Sequence, residues 1–134
     1  MSDDLPSIGR IADREHLFPV RVYYEDTDFT GVVYHATYLR YFERGRSEFL
    51  RAMGLPSDRE DHGAFAVTRI VVDYRTAGRI HDALVVRTRF TGLRGPRLNF
   101  EQQIERTGVV LAEAEIVAVA IHLDGRVRRP SAAE

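Results

Sequence analysis

The sequence contains no cysteine and no lysine. The first absence excludes disulfides and thiolate metal sites. The second excludes Schiff-base lysine chemistry and a P-loop lysine, since all 19 basic residues are arginine. Long hydrophobic runs are missing too. The richest stretch, residues 109–120, is broken by Glu113 and Glu115, and nothing approaches the ~18 apolar residues that cross a bilayer. The opening residues, Met1-Ser-Asp-Asp-Leu-Pro, lack both the basic and the apolar region of a signal peptide. A soluble, cytoplasmic protein with no integral membrane segment is therefore expected. Nor does one sign of charge dominate: 19 basic residues face 20 acidic ones, for a net charge of −1. No global field then draws the chain to nucleic acid or to an anionic membrane.

What is present suits one domain. At 134 residues and 44% hydrophobic the chain can build a single core, whereas two domains would each be too small to stand alone. Residues 1–17 show no consistent period and carry Pro6 and Gly9, which reads as a loosely held extension. Phe18, Val20, Val22 and Tyr24 then alternate with Pro19, Arg21 and Tyr23, a first strand with one apolar row. Residues 25–31 are rich in Asp, Thr and Gly, as in a loop. Beyond it Tyr38, Phe42, Gly45, Phe49 and Ala52 recur at helical spacing, which predicts an amphipathic helix over residues 35–53 stopped by Gly54, Leu55 and Pro56. Gly45 in mid-helix costs about 1 kcal/mol against alanine, and close approach to a sheet would account for it.

After a polar stretch over residues 57–63, four strands are expected at 64–75, 82–93, 97–106 and 109–124. Leu98, Phe100, Gln102 and Ile104 alternate with Asn99, Glu101, Gln103 and Glu105, so one sheet face lies in the core and one in water. Residues 116–121 are apolar on both faces, one for the helix and the other for a further contact such as a partner subunit. The short links at 93–96 and 106–108 are hairpin-length and imply antiparallel pairing. A helix of ~27 Å and strands of about 33 Å match in length. The expected fold class is α+β: a five-stranded antiparallel sheet wrapped around one long helix, the hot dog arrangement, over residues 18–126, with 127–134 as a tail. A doubly wound parallel sheet is excluded, because it needs a crossover helix between successive strands.

Chemistry concentrates in residues 20–49, above all at Glu25, Asp26, Asp28, Gly31 and His35. The plainest reading is a solvated acidic turn that favours the helix dipole. A calcium loop fits Asp26-x-Asp28-x-Thr30-Gly31 at first, but its twelfth position would be Thr37, where a bidentate Glu is required. An aspartyl-phosphatase motif fits the strand followed by Asp26-x-Asp28, yet such enzymes use a parallel core. A third reading takes the helix start as an oxyanion site, with a loop carboxylate beside it to attack or to activate water. No Ser, Thr or Asp immediately precedes Tyr34 and His35, which leaves first-turn amides for a ligand, unless Thr30 or Thr37 caps a shifted helix start.

The strings Val20-Arg-Val-Tyr-Tyr-Glu-Asp-Thr-Asp28, Gly31-Val-Val-Tyr-His35, Tyr38 and Tyr41-Phe-Glu-Arg-Gly-Arg-Ser-Glu-Phe49 closely resemble the YbgC-type, tol-pal-associated acyl-CoA thioesterases of the 4-hydroxybenzoyl-CoA thioesterase family. The resemblance runs over residues 18–126. It implies a hot dog fold and hydrolysis of a thioester of coenzyme A or a related phosphopantetheine thiol, with neither cofactor nor metal. Asp28 occupies the place of the catalytic carboxylate, as nucleophile or as general base. His35 matches the subgroup's histidine at the helix start, Gly31 belongs to the same motif, and Tyr24 with Glu25 flanks the site. The resemblance further implies a homodimer or a homotetramer, with acyl-CoA lying across a subunit interface. Arg94 matches a basic position for the nucleotide phosphates, and Arg97 is close by. A non-catalytic module that binds acyl-CoA or acyl carrier protein is the alternative, and a hot dog dehydratase is disfavoured by its different motif. Three departures stand out: Phe29-Thr30 where relatives carry small residues, 77–79 in place of a Pro-containing turn, and Gly95-Pro96-Arg97 in place of a Ser-bearing hairpin. His16, His62, His81 and His122 show no metal-ligand spacing.

Overall fold

The computed structural model describes residues 4–54, 64–122 and 124–127. Its elements run β1 (Arg10–Ala12), β2 (Glu15–Arg21), a 3-10 turn (Tyr24–Asp26), α1 (His35–Ala52), β3 (Ala64–Tyr74), β4 (Ala83–Arg94), β5 (Arg97–Arg106) and β6 (Val109–Ile121). Six strands form one sheet in the order β1-β2-β4-β5-β6-β3. Every neighbouring pair is antiparallel. The β4–β5 link passes through Gly95 at φ 61, and the β5–β6 link through Thr107 and Gly108 at φ 46 and 86. Such positive φ values match the right-handed twist of a tight hairpin.

Three expectations need correction. The sheet has a sixth strand, and it comes from the supposed extension: Arg10 pairs with Leu17 and Ala12 with Glu15. The turn between them uses Asp13 and Arg14, both at positive φ, 51 and 67. Neither is a glycine, so composition gave no sign of a hairpin there. The alternation of the first long strand also ends early. Val20 and Val22 are buried, but Tyr24 has entered the 3-10 turn and is 84% exposed. β6 stops at Ile121, short of 124, because Asp124 and Gly125 lie in a turn that returns Val127 to bridge Ile121. The Leu55-Pro56 stop, the 57–63 stretch with His62, and most of the 127–134 tail lie outside the described residues.

The helix runs where its period placed it, with Tyr38, Tyr41, Phe42 and Gly45 buried. Against it pack Leu84 and Val86 of β4, Leu98, Phe100 and Ile104 of β5, and Ile116 and Ala118 of β6. At Gly45 an added Cβ would stand 2.6 Å from Val86 Cγ1, so glycine is what lets the helix meet the sheet. The buried row contains one polar member, Gln102. Its amide donates to the Phe42 carbonyl at 2.9 Å and to Thr88 Oγ1 at 2.8 Å, while Arg46 donates to its Oε1 at 3.0 Å. These bonds satisfy a buried side chain that would otherwise destabilise the core, and they tie the middle of α1 to β4 and β5.

Candidate active site

The segment between β2 and α1 is built on Asp26. Its carboxylate accepts from the Tyr23 amide at 2.8 Å, and its own amide donates to the Tyr23 carbonyl at 3.0 Å. Thr27 and Val33 then pair as an isolated bridge. Beyond that bridge, the Asp28 amide donates to the Val32 carbonyl at 2.9 Å, and the Gly31 amide to the Asp28 carbonyl at 3.1 Å. The result is a tight tip over residues 28–31. Gly31 sits at φ 85, a conformation side chains rarely tolerate. The tip is docked as well as shaped: Val33 donates to the Gly78 carbonyl at 2.8 Å, and Ile80 to that of Gly31 at 3.1 Å.

At the tip, Asp28 Oδ1 accepts from the Thr30 hydroxyl at 2.5 Å and from the Thr30 amide at 2.8 Å. The hydroxyl first, and the amide second, hold its carboxyl below the ordinary aspartate value of 3.8. Asp28 is therefore an ionised carboxylate at neutral pH.

The helix begins at His35 behind an extended Tyr34, whose side chain makes no cap. The Tyr34 amide donates to the Asp26 carbonyl at 2.9 Å and the Thr37 amide to the Tyr34 carbonyl at 2.8 Å. The first-turn amides of His35 and Ala36 lack intrahelical acceptors by geometry, and no acidic residue lies in that turn to offset the positive end of the dipole. Beside them is a cavity of about 250 Å³ lined by Val33, His35, Tyr38, Tyr74, Arg75, Thr76 and Ala77. Tyr38 is held there by the Gly78 amide, which donates to its hydroxyl at 2.9 Å. Its own pKa is raised, chiefly by burial. A larger hollow of about 460 Å³ lies on the sheet face turned away from α1. Its charges pair across strands, Arg89 with Glu101 and Arg87 with Glu15, and it takes in no predicted site residue. Of the predicted site residues, His35 alone lines the smaller cavity.

Asp28, Gly31 and His35 thus share one loop–helix unit. Tyr24 does not join them inwardly: it stands on the surface beside an equally exposed Glu25. Arg94 and Arg97 face each other at the β4–β5 hairpin, and Arg97 aligns through Val119 with Ala66. The helix start aligns instead with Tyr74 at the other end of β3. The eight steps from Ala66 to Tyr74 span roughly 26 Å, so the arginines stand far from the site of their own chain. Sequence reasoning gave no role to Asp26, for which the Asp-x-Asp spacing was a signal, and none to Tyr74, for which there was none.

A family model described as the thioesterase-like superfamily matches residues 22–134. The acyl-CoA thioesterase YbgC of Haemophilus influenzae is 40% identical over 114 residues, covering 83% of this chain and 84% of that protein. The acyl-CoA thioester hydrolase YbgC of Shigella flexneri is 42% identical over 110 residues, covering 78% of this chain and 80% of its own. Among solved structures, a probable thioesterase from Bartonella henselae superposes with a TM-score of 0.83 at 38% identity, covering 87% of this chain and 99% of that one. With the sheet wrapped on one helix and these relatives in agreement, the chain belongs to the thioesterase-like superfamily, in its YbgC branch of thioester hydrolases with the hot dog fold.

Proposed function

We propose that the protein hydrolyses acyl-coenzyme A, with Asp28 as the working carboxylate and the first turn of α1 as the oxyanion site. The observation that carries this reading is the tip bearing Asp28, tied by the Asp26–Tyr34 hydrogen bond to an uncapped helix start. The names of the YbgC relatives support the substrate and favour an enzyme over a non-catalytic binding module.

In the nucleophilic route a carboxylate oxygen of Asp28 bonds to the thioester carbon, and the carbonyl electrons move onto oxygen. The amides of His35 and Ala36 donate to that oxyanion. Collapse restores the carbonyl and breaks the carbon–sulfur bond. The departing thiolate takes a proton from water beside His35, and a water molecule then cleaves the mixed anhydride. In the general-base route Asp28 accepts a proton from water as the water oxygen attacks the same carbon. Gly31 serves both routes by permitting the turn. Label entering Asp28 in a single turnover in ¹⁸O-labelled water identifies the first route, with water attacking the anhydride at the Asp28 carboxyl carbon.

The distance of Arg94 and Arg97 from their own site supports a substrate that spans two subunits, with the partner's hairpin meeting the CoA phosphates. β3 is paired on one side by β6 and carries exposed Val67, Val71 and Tyr74. Such an edge invites pairing with a second copy, which gives a homodimer, or a homotetramer of two dimers. Acyl carrier protein offers the same thioester on a phosphopantetheine arm and is a second possible donor in a cytoplasmic setting.

The test is thiol release from short, long and aromatic acyl-CoAs by the wild type and Asp28→Asn, after both are shown to assemble alike. A fall of about 10³-fold or more in the variant is expected. A wild type inactive on the whole panel, or a variant as fast as the wild type, removes this mechanism.

A further inference from the structure

We propose that Asp26, two residues before the working carboxylate, is a positioning residue that sets Asp28 against the first turn of α1; this rests on the thioesterase reading above. Asp26 is only 6% exposed, although Tyr24 and Glu25 before it are open to solvent. Aspartate is seldom buried without a partner, and among the described residues no cation pairs with it.

Its partners are instead the parts of the site. The carboxylate accepts from the Tyr23 amide at 2.8 Å, at the start of the loop. The backbone carbonyl accepts from the Tyr34 amide at 2.9 Å, one residue before the helix. The Tyr41 phenol, fully buried in α1, lies beside the carboxylate but outside hydrogen-bond geometry. Burial first, and the Asp26 carboxylate second, push that phenol's pKa well up, so it stays a neutral hydroxyl facing an acceptor. One residue therefore meets both ends of the loop and the body of the helix.

The bonds made by Asp28 itself, to Thr30, Gly31 and Val32, lie within the tip. They shape it without locating it relative to α1. Gly78 and Ile80 hold the outer side of the tip against the chain entering β4; on the inner side the Asp26 backbone carbonyl ties to Tyr34, and its carboxylate fixes that peptide through the Tyr23 amide. The quantity it controls is the separation between the carboxylate and the oxyanion donors, where an error of about 1 Å costs roughly 100-fold in rate.

The test compares Asp26→Ala, Asp26→Asn and Asp26→Ser in the full chain. The alanine variant is expected to lose about 10- to 100-fold in kcat while KM moves less than about threefold, since substrate contacts are untouched. Asparagine keeps an acceptor for the Tyr23 amide and recovers most of kcat. Serine caps the amide but is too short to reach Tyr41, so it falls between them and serves if the alanine variant does not fold. Amide hydrogen exchange gives a readout independent of turnover: Asp28 and Tyr34 should exchange faster in the alanine or serine variant, with β4 and β5 unchanged. Folded variants with kcat within twofold of wild type, an asparagine variant no better than alanine, or unchanged protection at Asp28 and Tyr34 would each overturn the role. A wild type that hydrolyses no acyl-CoA would instead remove the thioesterase reading, leaving hydrogen exchange to decide on Asp26.

Discussion

The Tyr74 hydroxyl donates to the backbone carbonyl of His35 at 2.9 Å, so the last residue of the edge strand β3 grips the first residue of the helix. Its ring also meets Tyr38 edge-on at 5.5 Å and His35 at 6.5 Å between centroids. The start of α1 and the end of the edge strand thus meet at one side chain.

Tyr74→Phe keeps the ring and removes the hydrogen bond. A partly exposed neutral bond of this kind contributes about 0.5–1.5 kcal/mol, and urea unfolding should show a loss in that range with an unchanged slope. Turnover should fall more than stability explains, because the His35 amide shifts with its carbonyl. Equal turnover in the two proteins would show that the bond holds the helix without tuning the site.

Thr30→Val removes the hydroxyl that most lowers the Asp28 pKa. Hydrogen bonds to the charged form favour it, so their loss makes the carboxyl easier to protonate. The acid limb of kcat/KM that Asp28 would govern is expected to move upward in the variant. Carbon-13 titration of the Asp28 carboxyl should follow the same direction. At neutral pH both proteins keep Asp28 ionised, so any rate difference there reports tip geometry rather than charge.

Gly45→Ala sets two effects against each other. Helix propensity favours alanine by about 1 kcal/mol. The new methyl, however, would lie 2.6 Å from Val86 Cγ1 and 3.1 Å from both Gln102 Nε2 and Thr88 Oγ1. Overpacking of this kind costs about 1–3 kcal/mol, so the variant should be less stable, with a lower urea midpoint. A raised midpoint would mean that β4 moves aside freely.

Much of the fold was legible because it is periodic. The helical spacing from Tyr38 to Ala52 matches α1 to within a residue at its end, and the alternation of Leu98, Phe100, Gln102 and Ile104 became the buried row of β5. The β1–β2 hairpin was not legible, because Asp13 and Arg14 adopt a turn conformation that neither residue advertises. Tyr24 was misread because the alternation continues by one residue past the point where the backbone turns into a 3-10 helix.

The site divides along the same physical line. Asp28, Gly31 and His35 lie within eight residues of chain, and local turn chemistry together with the start of a helical period was enough to place them in one unit. Tyr74 is 39 residues from His35 and enters the site only because β3 runs along the sheet edge to the helix start. The same strand geometry puts Arg94 and Arg97 at the far end of the sheet. Local hydrogen bonds and side-chain period act between near neighbours and can be read from order alone. Which end of the sheet a residue reaches depends on strand pairing across the whole chain, and only the tertiary structure decided that.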